Sequence, residues 1–193
     1  MALPDPKDTL IEYLQTGRDA VVWKLDGLSE YDVRRPMTPT GTNLLGLVKH
    51  LASVELGYFG DTFGRPHGIE LPWQVEGADV NADMYATEDE SREHIVGLYE
   101  RAWEHAAGTF AAKNLDDTGE VPWWRPGHRT VTLHQILVHM ATETDRHAGH
   151  ADIVRELIDN KTGLAPHRSS QPGDGYDWIA YHDRLEGIAR SFA

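Results

Sequence analysis

The stretch from Thr132 to Asn160, TLHQILVHMATETDRHAGHADIVRELIDN, constrains the fold more than any other part of the chain. At 100° per residue, Leu133, Ile136, Met140, Ala151, Val154 and Ile158 share one stripe, so the segment predicts a single long helix with that stripe against a core. Glu143 and His147 interrupt the same stripe. Four residues apart, they point the same way about 6 Å along the axis. Burying a carboxylate and an imidazole is costly unless a metal, a proton partner or a hydrogen-bond network answers them. The pattern therefore predicts either a metal site inside a helical bundle or a metal-free Glu–His hydrogen-bonded pair.

The rest of the chain supplies partners for that helix. Leu10, Leu14, Val21, Leu25 and Leu28 carry a helical period over roughly Lys7 to Leu28. Arg35-Pro36 and Thr38-Pro39 then break the pattern into a loop. From Thr42 to about Gly64, apolar Leu44, Leu47, Val48, Leu51, Val54, Tyr58 and Phe59 cover a wide arc of a second helix, with His50 at its edge. Thr87 with Glu90 reads as a capping box opening a third helix that runs to about Lys113, and Thr132 with Gln135 as another opening the fourth. Two long connections, RPHGIELPWQVEGADVNADM and NLDDTGEVPWWRPGHRTV, separate helices two, three and four. Past Asn160, KTGLAPHRSSQPGDG is a Gly/Pro-rich linker, and Tyr176 to Phe192 predicts a short terminal helix. The expectation is an all-α fold: a four-helix bundle with two long connections and a short C-terminal helix. It forms one domain over residues 1–193, the bundle spanning about 7–160 and the linker and last helix 161–193. No period of 20–50 residues repeats, which argues against a solenoid.

Composition narrows function. With 31 acidic and 18 basic residues the net charge is −13, which disfavours nucleic acid and anionic membrane as partners. The complete lack of cysteine excludes disulfides, a thiolate nucleophile and sulfur-ligated metal, leaving His, Asp and Glu to hold any ion. Neither a signal peptide nor an apolar run of about 18 residues is visible, so the expected location is the cytoplasm. Glycine-rich dinucleotide, P-loop and nucleophile-elbow signatures are missing.

A metal with two ligands on the fourth helix needs a third from a neighbour, and His50 is the candidate because it is the one histidine of the second helix. His139 and His150 flank the pair as further ligands, ligand-orienting groups or partly exposed polar residues. Glu55, inside the second helix's apolar arc, either supports a ligand or pairs with an arginine. Trp73, Trp123 and Trp124 of the connections line a pocket or cover the core. Arg125, Arg129 and Arg146 grip carboxylates of a ligand or are simply solvated.

The segments HLASVE at His50 and ETDRHAGHADIVRE at His147 resemble the DinB-like superfamily of metal-binding four-helix bundles, over roughly residues 8–160. The resemblance implies one histidine from the second helix and two, spaced by four, from the fourth. These positions are His50, Glu143 and His147 here. Glu143 departs from the three-histidine version and is similar to the His, Glu, His zinc set of the mycothiol-dependent maleylpyruvate isomerase branch. What the resemblance implies is a metal-dependent thiol S-transferase or isomerase, working with mycothiol or bacillithiol on a small electrophilic substrate. Zinc is the first choice among divalent metals, with nickel and iron next, and a homodimer is expected. The alternatives are a non-catalytic metal- or small-ligand-binding stress-response module, and a metal-free structural dimer paired through the wide apolar arc of the second helix.

Overall fold

The computed structural model describes residues 3–169, 171–173 and 175–193. Met1 and Ala2 of the leader, and Ser170 and Asp174 of the linker, lie outside the described residues. The chain is mainly helical: α1 (Pro6–Trp23), α2 (Glu30–Arg34), α3 (Leu44–Phe59), α4 (Arg92–Ala112), α5 (Leu133–Asp159) and α6 (Trp178–Arg190). Strands β1 (Thr118–Glu120) and β2 (Thr130–Thr132) form a small antiparallel hairpin, with Thr118 opposite Thr132 and Glu120 opposite Thr130.

Local chemistry sets most of the boundaries. Asp5 caps α1 by accepting from the Lys7 and Asp8 amides, with Pro6 in the first turn, where its missing N–H costs nothing. The helix stops at Trp23, before the expected Leu28. Lys24, 1% exposed, is pulled into an ion pair with Asp152, and Gly27 at φ +73° turns the chain. Between the expected helix end at Leu28 and the break at Arg35-Pro36, five residues form α2, capped by Ser29 and stopped at Arg35, which is extended before Pro36. Thr87 and Glu90 do bond, but as a separate turn. The Glu90 carboxylate accepts from the Thr87 amide and from Lys49, so α4 starts later, with Ser91 accepting from the His94 amide. Thr132 caps α5 through the Gln135 amide as its sequence predicts, and Asn160 ends it at φ +63°.

Helix α3 packs against α4 and α5, and α1 packs against α5. Two apolar clusters result. One gathers Val21, Leu51, Leu98 and Val154, and the other Leu14, Phe59, Phe110 and Met140. The hairpin was not expected from the sequence, because three-residue strands are too short for an alternating pattern to register. It is held by tertiary contact. Gly119 passes so close to the Thr62–Phe63 turn that a Cβ would meet the Thr62 carbonyl at 2.4 Å, while Val121 and Val131 are buried. No described helix is long and apolar enough to cross a membrane.

Candidate metal centre

Helix α3 brings His50, and α5 brings Glu143 and His147, to one point between them. The three ligand atoms lie within 4.8 Å of one another. One carboxylate oxygen, Glu143 Oε1, faces both imidazoles, 3.3 Å from His50 Nε2 and 3.1 Å from His147 Nε2. The rings meet edge-on with centroids 4.9 Å apart. Donors at zinc–ligand distances of about 2.1 Å and tetrahedral angles stand roughly 3.4 Å apart, so the spacing fits one small divalent ion. His147 is buried and the His50 side chain is 18% exposed, whereas the Glu143 side chain keeps 30% exposure and leaves the site a route to solvent.

Each imidazole is held from behind. His50 Nδ1 lies 2.7 Å from Asp83 Oδ2, and His147 Nδ1 lies 3.4 Å from His150 Nδ1. Outer partners of this kind orient a ligating ring and fix which nitrogen is free. Asp83 is in place because the connection from residue 65 to 84 is pinned to the start of α3. Asn43 caps the Gly46 amide and also donates to the Met84 carbonyl at 3.0 Å, which rests where a Cβ on Gly46 would stand at 1.8 Å. Burial opposes charge on His50, but Asp83 and Glu143 outweigh it and raise its pKa above the usual histidine value. Burial, and the neighbouring His50, lower His147. Burial also works against ionised Glu143, yet the two histidines hold its carboxyl below the ordinary range.

Residues 9–160 match the family model for mycothiol-S-transferase. The chain belongs to the mycothiol-S-transferase family. The DinB-like resemblance carried by HLASVE and ETDRHAGHADIVRE is thereby borne out. Among curated proteins no match is found. In this mycothiol-S-transferase family member the matched span contains α1 from its second turn on, all of α2 to α5 and all three clustered residues; residues 161–193 lie outside it.

The other candidates scatter. His150 supports His147, while His139 sits one turn before Glu143 against Tyr58 and Trp124, with ring centroids 4.7 and 5.4 Å away. Burial lowers its pKa. Glu55 takes the arginine option, gripped on both oxygens by Arg18. Trp73 donates to Ser53 and lies under the Lys49 ammonium. Trp123 and Trp124 both donate to the Tyr58 hydroxyl. Arg125 and Arg146 are exposed, and Arg129 bonds the Trp124 carbonyl. A cleft lined by Trp23, Arg155 and Tyr176 includes none of the triad. Sequence reasoning missed Asp83 and Tyr58. The demand of a buried histidine for an acceptor was a usable signal for Asp83, but the connection that carries it has no periodicity from which to place it.

Proposed function

We propose that this chain is a metal-dependent thiol S-transferase that joins mycothiol to a small electrophile. A divalent ion, zinc first, would be held by His50 Nε2, Glu143 and His147 Nε2 on a four-helix bundle of α1, α3, α4 and α5 within a single domain of residues 1–193. The observation that carries this reading is the opposition at Glu143 Oε1. With Asp83 accepting the His50 Nδ1 proton, a neutral His50 presents a bare Nε2 lone pair 3.3 Å from a carboxylate oxygen. Two lone pairs in that position require a cation or a proton between them. The upward shift of His50 is the same demand met by a proton. Thiol transfer also fits a chain without cysteine, because the sulfur must then come from the cofactor.

Two neutral imidazoles and one carboxylate leave a bound divalent cation with net positive charge, which lowers the pKa of a thiol that reaches it. The protein's own contribution is placement. Asp83 keeps the His50 proton on Nδ1, His150 braces His147, and Glu143 faces the solvent-open side. A homodimer through the α3 arc finds no support in the packing, since nearly all of that arc is buried within the single chain.

The test is elemental analysis of protein purified without added metal, followed by mycothiol consumption with 1-chloro-2,4-dinitrobenzene. One equivalent of ion, lost in His147→Ala together with turnover, is the expected result. Metal without turnover on any thiol makes the chain a binding module. An absence of metal from both proteins leaves the triad a hydrogen-bonded pair.

A further inference from the structure

Helices α3 and α5 meet at two aromatic contacts. His50 faces His147, and Tyr58 faces His139. Both pairs are eight residues apart on both helices, in opposite senses, so the helices run antiparallel and the contacts stand about 12 Å apart along them, with Glu143 midway on α5. The first contact belongs to the triad. The second has no role in holding an ion, yet it is built with care.

Tyr58 is 9% exposed, and its hydroxyl accepts from Trp124 Nε1 at 3.0 Å and from Trp123 Nε1 at 3.4 Å. With both lone pairs engaged, the hydroxyl keeps its own proton to donate. Trp123 rests on α3 where Gly57 has no side chain; a Cβ there would be 3.1 Å from the indole edge. The indoles are set in place by the hairpin, whose buried Val121 bonds the Arg129 carbonyl, and by Arg129 Nε on the Trp124 carbonyl. Even so, Trp123 keeps 52% exposure. A large aromatic surface anchored this firmly and left open is a stacking platform rather than a core lid.

We propose that Trp123, Trp124, Tyr58 and His139 form the subsite for the electrophile, which selects flat aromatic electrophiles and receives a hydrogen bond from Tyr58. This rests on the thiol-transfer reading for the triad. The two contacts differ in chemistry: the triad contact is backed by Asp83 and His150, polar groups suited to a polyhydroxylated thiol, and the other is aromatic. The reaction joins their occupants. A sulfur–carbon bond forms, the leaving group departs with its bonding pair, and the thiol proton goes to solvent.

Binding is measured first, without thiol, using 1,3-dinitrobenzene, which has the flat ring and no leaving group. Its saturable quenching of tryptophan fluorescence is expected, weakened about tenfold in Trp123→Ala and within about threefold of wild type in Trp123→Phe. Unchanged melting of both variants shows that they fold. Equal affinity in Trp123→Ala, or no saturable binding, overturns the proposal, whatever the metal assay gives. With mycothiol present, Trp123→Ala is expected to raise KM for 1-chloro-2,4-dinitrobenzene about tenfold. KM for the thiol, and turnover of ring-free iodoacetamide, stay near wild type. A rise in the thiol KM instead assigns the aromatic end to the cofactor and also overturns the proposal. If no thiol is turned over, the thiol-transfer reading fails while the quenching titration still decides the subsite.

Discussion

Glu55 and Glu143 are two glutamates that interrupt the apolar faces of packed helices, and the molecule answers them in opposite ways. Glu55 is fully buried, and Arg18 closes on both of its oxygens at 3.0 and 2.5 Å. Charge meets charge, although burial outweighs Arg18 and still holds the Glu55 carboxyl above its ordinary range. Glu143 faces two imidazoles at 3.3 and 3.1 Å, keeps 30% exposure, and among the described residues pairs with no guanidinium or ammonium. A carboxylate given a permanent cation is a structural element, whereas one faced by imidazole nitrogens in a solvent-open position is poised to take a cation from outside.

The largest effect should come from breaking the closed pair. Arg18→Ala removes the cation from a fully buried carboxyl that burial already pushes toward protonation, which costs about 3–5 kcal/mol. In a chain of this size that lowers Tm by roughly 6–20 °C. Metal content of the surviving folded fraction should be unchanged. Replacing both members with apolar residues, Arg18→Met with Glu55→Leu, should recover most of the loss, because no lone charge is then left behind. Thermal melts of the single and double variants check this. A mild single variant would mean that Arg18 and Glu55 are not the closed system described above.

Next is the support of the open site. Asp83→Asn leaves His50 present but no longer presses its proton onto Nδ1, so metal affinity should fall about 10- to 100-fold. Stability of the metal-free protein should barely move, as Asp83 lies in a connection and its carboxylate is a quarter exposed. Competition with a chelator of known affinity measures the shift. Equal affinity in wild type and variant would reduce the Asp83 contact to a surface hydrogen bond.

How much of this was legible in the sequence follows from the range of each interaction. Glu143 and His147 could be paired because a helix repeats every 3.6 residues and four-residue spacing is local. His50 could be nominated because a third ligand was needed and the second helix offered one histidine. The structure does bring the three together. For Glu55 the sequence offers two options and does not choose, because its arginine lies 37 residues away on another helix. Asp83 and the hairpin were not readable. The first depends on Asn43 and Gly46 gripping a carbonyl 41 and 38 residues on, the second on Gly119 seating against residues 62–63, and neither leaves a periodic trace. The early end of α1 has the same origin, since Lys24 is claimed by Asp152 from α5.

A second closed pair sharpens the contrast through pH. Arg155, 1% exposed, bonds both oxygens of Asp159 and the carbonyls of Lys24 and Asp26, tying the end of α5 to the end of α1. The Arg155 hydrogen bond holds the Asp159 carboxyl below its ordinary value of 3.8. A carboxyl depressed in the folded state adds stability that is present above the unfolded value and is lost as pH falls through the folded one. Asp159→Asn should therefore lower stability near neutrality and flatten its decline below about pH 4. Urea unfolding at a series of pH values reads the slope. A variant with the wild-type acid slope would remove Asp159 from the pH response.

The smallest stability effect is expected where the sequence looked most alarming. Glu143→Gln keeps the side chain's shape and one acceptor oxygen, and the position is open enough for water to serve the amide. In metal-free protein the change should stay within about 1 kcal/mol, the range of partly exposed ion pairs. Glu55→Gln should cost several times more, because it leaves the Arg18 guanidinium buried without its counter-charge. With metal supplied, the ranking reverses. Wild type should gain stability as RT ln(1 + [L]/Kd), whereas Glu143→Gln, having lost the one anionic donor of the set, should gain little at the same concentration. Melting curves with and without zinc, taken on both variants, give the full comparison. A large loss in metal-free Glu143→Gln would place Glu143 among the structural glutamates, and a zinc shift equal to wild type would remove it from the ligand set.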